Sequence, residues 1–398
     1  MEKAQTLTEL LSRAGAQRFL EAPASADMGL AEHLPFPFLG IVGQLEMKLA
    51  LILSLINPNI GGVLLIGPRG TGKTTAVRSL SDLLPDVVRS RCPYGCLPED
   101  VETGGMDAVC PDCAKRYAEE QPLTYTDRVR LIELPLNSKL ADVVGGLDER
   151  ASLHQRMRIE RGILSRADQN ILYIDEVNLL DDEIVDAILD AATQGTYTVH
   201  RGPLAATYRS RFILIGSMNP EEGRLRPQIL DRFGLRITVQ GLDNKPDRLE
   251  AYRRSIAYRK NPRLVIAEHA TTTDLARGEL QAARLALQDV ELNPKAERFA
   301  LSLIEELGIH SLRAELTLLE AARAHTIADG RQKAKINDVQ RVAVMALRLR
   351  RSSYIDEYLT LQSGEDQEIE GIVRKLKTPQ KKRKSATKPG RKGKKKSS

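Results

Sequence analysis

The sequence predicts an α/β fold in which a parallel β-sheet, covered by helices on both faces, is followed by a helical domain. Short apolar runs have the composition of strands that are buried on both faces. They are Val63–Ile66, Val129–Leu134, Ile171–Ile174, Phe212–Ile215 and, more weakly, Ile237–Val239. Helical patterns separate these runs, and that alternation is typical of a parallel sheet. After about Asp247 the strand pattern stops, and apolar residues take helical spacing in segments such as Ser311–Ala328 and Asn337–Arg350.

The length of 398 residues suits two or three domains of roughly 100–200 residues each. We expect an N-terminal extension with an appended helix over 1–33, an α/β core over 34–245, a helical domain over 246–355 and a tail over 356–398. The chain has no apolar run of the length, about 18 residues, that predicts a membrane helix. Its N-terminus also lacks the pattern of a secretory signal. These observations predict a cytoplasmic protein without a membrane span.

The net charge of +6 is concentrated in the tail. Of the 59 Lys and Arg residues, 13 lie between Arg374 and Ser398, where there is no Asp or Glu. The other 46 are outnumbered by 53 acidic residues, which gives the rest of the chain a net charge of −7. Because the tail has almost nothing apolar to bury, we predict that it is disordered. Binding of nucleic acid, of an acidic membrane surface or of an acidic partner is one hypothesis for it, and a purely solubilising role is another.

The strongest motif is a phosphate-binding loop, Gly67-Pro68-Arg69-Gly70-Thr71-Gly72-Lys73-Thr74. It matches G-x-x-x-x-G-K-[ST] at every fixed position and lies between a buried strand and a helical stretch. Gly67, Gly70 and Gly72 allow backbone N–H groups to wrap phosphates, and the helix N-terminus adds positive potential. Lys73 is placed to reach the β- and γ-phosphates, and the Thr74 hydroxyl to bind Mg²⁺. Together with the adjacent Thr75, the loop predicts a site for ATP and Mg²⁺.

Polar residues follow two of the other predicted strands. Asp175 and Glu176 come directly after Ile171–Ile174, at the strand end where ligands bind in open α/β sheets. We expect Asp175 to hold the Mg²⁺ through water, and Glu176 to orient and deprotonate the attacking water. Asn219 follows the strand that begins at Phe212 and is placed to hydrogen-bond the γ-phosphate or that water. Since Asn219-Pro220 is also a turn signal, a purely local role for Asn219 stays open.

An arginine stands just before the last predicted strand, within Arg226-Pro227-Gln228-Ile229-Leu230-Asp231-Arg232-Phe233-Gly234. A guanidinium can stabilise charge on a transferring phosphoryl group. If Arg232 cannot reach its own nucleotide, it must act on that of a neighbour, which would imply a ring. The alternative is a surface salt bridge between Arg232 and Asp231.

Several segments beyond these motifs resemble the I subunit of magnesium chelatase, an ATPase of the AAA+ type. They are Phe36-Pro37-Phe38, Ile41-Val42-Gly43-Gln44, Glu46–Leu51, Ile60-Gly61-Gly62-Val63, Asp175–Leu180, Asn219–Gly223, Arg226–Gly234 and, in the helical domain, Leu312–Leu319. The resemblance covers about residues 35–350 and is more specific than a phosphate-binding loop alone. It implies an AAA+ core with a lid of helices and a β-hairpin inserted at Tyr197–Tyr208, with Arg201-Gly202-Pro203 as its turn.

The same resemblance implies an assembly and a set of roles. The chain would form a homo-oligomeric ring, a hexamer, with ATP between subunits. Gly43 and Gln44 would lie beside the adenine. Arg232 would be the finger that reaches the adjacent subunit, and Arg313 would contact phosphate from the lid. In that family the ring works with a D subunit and with a large H subunit that binds the porphyrin, and ATP hydrolysis powers Mg²⁺ insertion into protoporphyrin IX on the way to chlorophyll.

Four cysteines, the only ones in the chain, depart from many members of that family. Cys92, Cys96, Cys110 and Cys113 form C-x₃-C-x₁₃-C-x₂-C within an insertion over 90–115. Two close pairs separated by a loop suit tetrahedral Zn²⁺, and a site with four protein ligands would be structural. Free or redox-active thiols are the alternative, whereas disulfides suit a cytoplasmic protein less well.

Two other functions therefore stay open beside that of a magnesium chelatase. The cysteine insertion resembles one in bacterial chelatase-like ATPases linked to cobalt chelation, and the ATP motifs do not report which metal is inserted. A remodelling chaperone of the related MoxR type, which acts on proteins, would share the same motifs.

Overall fold

The computed structural model describes residues 6–7, 34–146, 159–202, 204–223 and 225–351. Nearly all of the predicted extension over 1–33 and the whole predicted tail over 356–398 lie outside these residues. The described residues up to Arg351 belong to one compact unit. Its helical part therefore packs on the α/β part as one body.

A five-stranded parallel sheet lies at the centre, as predicted. Its spatial order is β4-β5-β8-β1-β9, with β1 at Val63–Ile66, β4 at Leu131–Leu134, β5 at Ile171–Ile174, β8 at Ile213–Met218 and β9 at Leu235–Thr238. Val63 and Leu65 of β1 belong to one hydrophobic cluster, and Leu64 and Ile66 to another. Since successive side chains of a strand point to opposite faces, the sheet is buried on both sides, which explains its continuous apolar runs.

Helices connect the strands and cover both faces of the sheet, except for two that belong to the cysteine insertion. The helices of the core are α1 at Leu45–Ile56, α2 at Lys73–Ser79, α3 at Pro98–Gly104, α4 at Pro111–Ala118, α5 at Leu140–Val144, α6 at Ile163–Arg166, α7 at Asp182–Gln194 and α8 at Pro227–Arg232. Parallel strands need such crossovers because a hairpin cannot join them. The two helices of the insertion, α3 and α4, pack in a small cluster of their own.

The part of the chain after β9 is mainly helical, as predicted. Its helices are α9 at Lys245–Lys260, α10 at Pro262–Ala286, α11 at Pro294–Glu306, α12 at Leu312–Ala328 and α13 at Ile336–Leu347. The expectation that strands vanish here was wrong in one detail. Two-residue strands, β10 at Glu291–Leu292 and β11 at Lys333–Ala334, pair in parallel, and strands of that length leave no periodicity to detect.

The helical part shares the core of one sheet face. Leu318 and Ala322 of α12 and Val342 of α13 belong to the same cluster as Val63 and Leu65 of β1. The boundary between 245 and 246 falls at the start of α9 and stays a prediction, because the two parts have no separate cores.

Two antiparallel ribbons extend from the core. The inserted hairpin is confirmed: β6 at Thr196–Arg201 pairs with β7 at Leu204–Arg209, and Tyr197 lies opposite Tyr208. The second ribbon has no counterpart in the sequence predictions. It pairs β2 at Asp86–Ser90 with β3 at Thr124–Arg128 and brackets the cysteine insertion. The predicted strand over 129–134 therefore begins later, at Leu131, because the chain turns between β3 and β4.

Among the described residues, no helix has both the length and the apolar character needed to cross a bilayer.

Candidate nucleotide-binding site

The phosphate-binding loop joins β1 to α2, as its motif predicts. Gly70 has φ +79° and Gly72 has φ +85°, values that residues with a side chain rarely adopt. A Cβ atom built at either glycine would meet nothing within 4 Å, so open space lies beside the loop at both positions, and both glycines line cavities. The loop thus leaves room for a ligand where backbone N–H groups and the N-terminus of α2 converge.

Lys73 is the first residue of α2, and its side chain is folded back onto the loop. Its Nζ donates hydrogen bonds to the carbonyl oxygens of Gly67, at 2.7 Å, and Pro68, at 2.9 Å. Burial lowers the pKa of Lys73, and Asp175, Glu176 and Glu222 act in the opposite direction. A phosphate group would replace two neutral acceptors with a charged one, which is the stronger partner for an ammonium group.

Asp175 lies at the end of β5, within a group of hydroxyl donors. The Thr74 Oγ1 lies 3.1 Å from its carboxylate, and the Tyr173 hydroxyl donates to Oδ1 at 2.8 Å. The Ser217 hydroxyl donates to the same oxygen. Thr74 and Asp175 thus form the oxygen pair expected to hold Mg²⁺, and these hydroxyls orient the carboxylate, as outer partners do at metal sites.

Tyr173 and Ser217 are functional candidates that the sequence predictions did not include. Tyr173 lies two residues before Asp175, and Ser217 two residues before Asn219. Ser217 also accepts a hydrogen bond from the backbone N–H of Glu176 at 3.1 Å. The one available signal was the polar character of both side chains within otherwise apolar strands.

Glu176 and Asn219 line the same cavity as Lys73, a space of about 220 Å³. The Glu176 carboxylate lies 3.4 Å from Nη2 of Arg69, whose side chain is 71% exposed and also pairs with Glu222. Asn219 Oδ1 accepts the N–H of Glu221 at 3.2 Å. The Asn219 side chain therefore has the local turn contact that its sequence context predicted as an alternative. Its amide N–H₂ group is left for a ligand.

A second cavity, of about 620 Å³, continues from the loop toward the helical part. Gly70, Thr71, Gly72 and Thr75 line both cavities. Gln44 lines the larger one, and its Nε2 donates to the Gln240 carbonyl at 2.6 Å. Gly43 precedes Gln44 in the same turn, where a Cβ atom would lie 2.7 Å from Leu242. The two connected cavities suit a nucleotide with its phosphates at the loop and its base near Gln44.

Arg232 and Arg313 lie away from this site. Gly234 lies two residues after the end of α8 and donates its N–H to the carbonyl of Gly61, just before the start of β1. The phosphate-binding loop instead follows the end of β1. The four residues of β1, about 13 Å in length, lie between Gly61-Gly62 and the phosphate-binding loop, a distance longer than an arginine side chain. Neither arginine is among the residues that line the two cavities.

Both arginines are paired with acidic residues of this chain. Arg232 pairs with Asp190 of α7, and its side chain is 26% exposed. The alternative that paired Arg232 with Asp231 was wrong, because Asp231 instead contacts Arg350 at 2.9 Å and Arg313 at 3.6 Å. Arg313 and Arg232 thus lie in one region, at the edge of the sheet opposite the phosphate-binding loop.

The four cysteines of the insertion come together in space. Their Sγ atoms all lie within 4.8 Å of one another, with Cys96 and Cys113 buried and Cys92 and Cys110 half-buried. The backbone N–H of Cys96 donates to Cys92 Sγ at 3.3 Å, and that of Cys110 to Cys96 Sγ at 3.4 Å. Such donors favour thiolates, the form that binds a metal.

Comparison with known proteins agrees with this architecture. Residues 60–222 match the family model of an AAA domain, and residues 300–372 match that of an AAA lid domain. A putative ATPase from Cytophaga hutchinsonii has a similar structure, with a TM-score of 0.51 and 18% identity over 79% of this chain and 84% of its own. These matches confirm the predicted fold.

Relatives are also similar in sequence over most of the chain. A magnesium-chelatase subunit ChlI homolog from Methanocaldococcus jannaschii is 41% identical over 323 residues, which cover 80% of this chain and 87% of that protein. The magnesium-chelatase 38 kDa subunit of Acidiphilium rubrum is 41% identical over 327 residues, 81% of this chain and 93% of that protein.

Proposed function

The chain belongs to the family of the magnesium-chelatase subunit ChlI, and from this premise we propose that it is the ATP-hydrolysing motor subunit of a magnesium chelatase. ATP hydrolysis by this subunit powers the insertion of Mg²⁺ into protoporphyrin IX, in the pathway of chlorophyll synthesis. The observation that carries the proposal is the convergence of Lys73, Thr74, Asp175 and Glu176 on one cavity. The chain thus has the groups that phosphoryl transfer to water requires.

In this proposal each group of the site has one task. Lys73 leaves the loop carbonyls and neutralises the β- and γ-phosphates. Thr74 and Asp175 hold the Mg²⁺ of MgATP, and Glu176 accepts a proton from the attacking water. Since Arg69 lies 3.4 Å from Glu176, the carboxylate must release this contact or share it when it acts as the base.

The arginines at the opposite edge would complete the site of a neighbouring subunit. Arg232 and Arg313 support this because neither lines the ATP cavities of its own chain, and both are partly exposed, at 26% and 44% of their side chains. We therefore propose a homo-oligomeric ring, a hexamer, in which ATP lies between subunits. A neighbour's γ-phosphate would compete with Asp190 and Asp231 for these guanidinium groups.

A reconstituted metal-insertion assay tests the function. The full chain is combined with chelatase D and H subunits, protoporphyrin IX and ATP, with either Mg²⁺ or Co²⁺, and porphyrin absorbance is followed. We expect Mg²⁺ insertion that is lost with Glu176→Gln. Insertion of Co²⁺ alone would replace the proposal with the cobalt chelatase, which the cysteine insertion favours. Steady ATP hydrolysis without insertion of either metal would favour a remodelling ATPase.

We also propose that the four cysteines hold one structural Zn²⁺. Zn–S bonds of about 2.3 Å place the sulfurs of a tetrahedral site about 3.8 Å apart. The four Sγ atoms, which all lie within 4.8 Å of one another, need only small side-chain adjustments to reach this geometry. Four thiols kept reduced also suit the predicted cytoplasmic location. The Zn²⁺ would fix an insertion whose small core contains Val101, Val109 and Leu123 beside the cysteines.

Metal analysis of the full chain by mass spectrometry tests the zinc site. We expect one Zn²⁺ per chain, and none in Cys96→Ser/Cys113→Ser. Thr103→Ala, an exposed change on α3 of the same insertion, is the matched control and should keep the metal. Purified chain without stoichiometric zinc, or zinc that persists in the double variant, would contradict this assignment.

A further inference from the structure

A second polar cleft lies on the far side of the cysteine insertion and has no part in the ATP site. Its volume is about 480 Å³, and its walls come from the β2–β3 ribbon, the first cysteine turn, the start of β4 and the segment around α6. Its charged side chains are those of Arg89, Arg91, Arg130, Arg161, Arg166, Arg209, Asp127 and Asp168. None of these residues lines the two cavities assigned to ATP.

The charge of this cleft contrasts with that of the chain around it. Six arginines and two aspartates line it, with no lysine, whereas the chain outside 374–398 has more acidic than basic residues. Guanidinium groups hold carboxylates or phosphates through two parallel hydrogen bonds, which ammonium groups cannot do. Because every basic side chain of the cleft is an arginine, the cleft suits a ligand with planar or multiple anionic oxygens.

Four of the six arginines of the cleft fall into two groups. Arg89 is a fixed member, since Nη2 donates to Asn170 Oδ1 at 2.9 Å and Nη1 to the Asp168 carbonyl at 3.2 Å. Arg209 pairs with Asp100 through Nη2, but its buried Nη1 has no hydrogen-bond partner within the described part of the chain. A buried guanidinium nitrogen without an acceptor is costly, and an incoming anion would supply that acceptor.

The second group is exposed and available. Arg130 is 69% exposed and forms an ion pair with Asp127 at 3.1 Å. Arg166 ends α6 with an exposed side chain, and it forms no ion pair with any residue that the structure describes. These side chains can turn toward a ligand without breaking the fold.

We propose that this cleft binds an acidic segment of a partner polypeptide, through carboxylates that pair with Arg130, Arg166 and Arg209. The tail of the chain itself is excluded as the occupant because it is basic. Nucleic acid fits less well for two reasons. The net negative charge of the surrounding chain repels a long polyanion, and Tyr125, the aromatic side chain of the cleft, is already covered by Arg91 at 5.5 Å. A short acidic segment confines its charge to the cleft.

The test uses the full chain and an octaglutamate peptide that carries a fluorophore and a photo-crosslinker. Binding is measured by fluorescence anisotropy at low and physiological ionic strength, with octaglutamine as the neutral control probe. The variant is Arg130→Gln/Arg166→Gln, and the matched control is Arg298→Gln/Arg341→Gln, which removes the same charge from exposed positions of the helical part. Crosslinked sites are mapped by mass spectrometry, because the basic tail will also attract the peptide.

We expect the cleft variant to weaken octaglutamate binding about tenfold or more, with crosslinks within 89–95, 125–130 and 161–170 that the variant loses. The control variant should bind as the wild type does, and ATP hydrolysis should be unchanged in both. Equal losses in the two variants, or crosslinks confined to 374–398, would overturn the proposal. Displacement of the peptide by inorganic phosphate would identify a small-anion site instead, and tighter binding of a single-stranded DNA of equal charge would identify a nucleic-acid site.

Discussion

The two edges of the central sheet carry the two halves of the proposed ATPase site in different states. At the carboxyl edge, Lys73, Thr74 and Asp175 are held by short contacts to groups of the same chain, and the cavity between them is already formed. At the opposite edge, Arg232 and Arg313 are partly exposed and paired with Asp190 and Asp231. The half that contains the phosphate-binding loop is preorganised to receive phosphate. In the other half, the guanidinium groups of Arg232 and Arg313 are occupied by ion pairs with Asp190 and Asp231.

This difference suggests how a ring could control hydrolysis. Exposed ion pairs contribute little to stability, about 0–1 kcal/mol each, so a γ-phosphate can displace Asp190 from Arg232 at little cost. In the proposed ring, we expect the loop and the acids of the carboxyl edge to bind ATP without help. Hydrolysis would then wait for the arginines of the next subunit, and its rate would depend on assembly rather than on ATP binding.

The largest effect is expected at the arginine edge. Arg232→Ala should lower ATP hydrolysis about 10³-fold or more while ATP binding is unchanged, because Arg232 does not line its own ATP cavity. Turnover and nucleotide affinity are measured for the variant alone and in mixed rings. The matched control is Arg298→Ala, on the exposed face of α11.

Rings that contain two kinds of variant subunit test whether Arg232 and Glu176 of one active site belong to different subunits. Combining Arg232→Ala with Glu176→Gln subunits should restore part of the hydrolysis, since some interfaces then join two intact halves. If no mixture recovers activity, Arg232 acts within its own chain or only supports the fold. That result would contradict the proposal that the two edges form one site across a subunit interface.

A change of the base on the preorganised side should be nearly as severe. Glu176→Gln keeps the shape of the side chain and removes its ability to accept a proton, so hydrolysis should fall about 10²–10⁴-fold. Equilibrium binding of a fluorescent ATP analogue checks that the nucleotide still binds. Normal turnover would show that Glu176, held beside Arg69, is not the base.

The hydroxyl group beside Asp175 should matter less. Ser217→Ala removes the donor to Asp175 and the acceptor of the Glu176 N–H, and the Mg²⁺ requirement for hydrolysis should rise about 10–100-fold. Ser54→Ala is the control, because Ser54 is buried and donates to a helix carbonyl away from the site. Equal Mg²⁺ dependence of both variants would mean that Asp175 needs no orienting partner.

The last prediction concerns the stability of the fold rather than the rate of hydrolysis, at Lys48, which contacts Ile41 of the larger cavity. Lys48 is fully buried, its Nζ donates to the Ile41 carbonyl at 2.9 Å, and burial, with Arg254, lowers its pKa from 10.5 to about 8. Below pH 8 the folded and unfolded states both carry the proton, so the full cost of burying the charge is present. As the pH rises from 8 to 10.5, the folded state loses the proton first and stability increases.

Urea unfolding measured across this pH range checks the effect. Relative to Lys48→Met, the wild type should gain up to about 3 kcal/mol between the two limits. The difference between the two proteins cancels the other groups that titrate at alkaline pH. The same pH dependence in both would show that Lys48 keeps its ordinary pKa.

The fold was predictable to the extent that it depends on local patterns. The runs at Val63–Ile66 and Ile171–Ile174 coincide with β1 and β5, because strands buried on both faces leave continuous apolar segments. The β2–β3 ribbon was not predictable in this way. Its residues are mostly exposed or half-buried, so no hydrophobic pattern marks it, and its pairing depends on the insertion that it brackets.

What the sequence determined by itself is the chemistry of contiguous motifs: the loop Gly67–Thr74, the acids after β5 and the spacing of the four cysteines. Each of these motifs can be interpreted locally, because backbone conformation and short separations along the chain bring the groups within one motif together. Only the tertiary structure decided which distant groups meet them. Ser217 reaches Asp175 because β8 lies beside β5, and Arg232 and Arg313 share an edge because the helical part packs on the sheet. These contacts follow from strand order and helix packing, which a single sequence does not specify through its local periodicity.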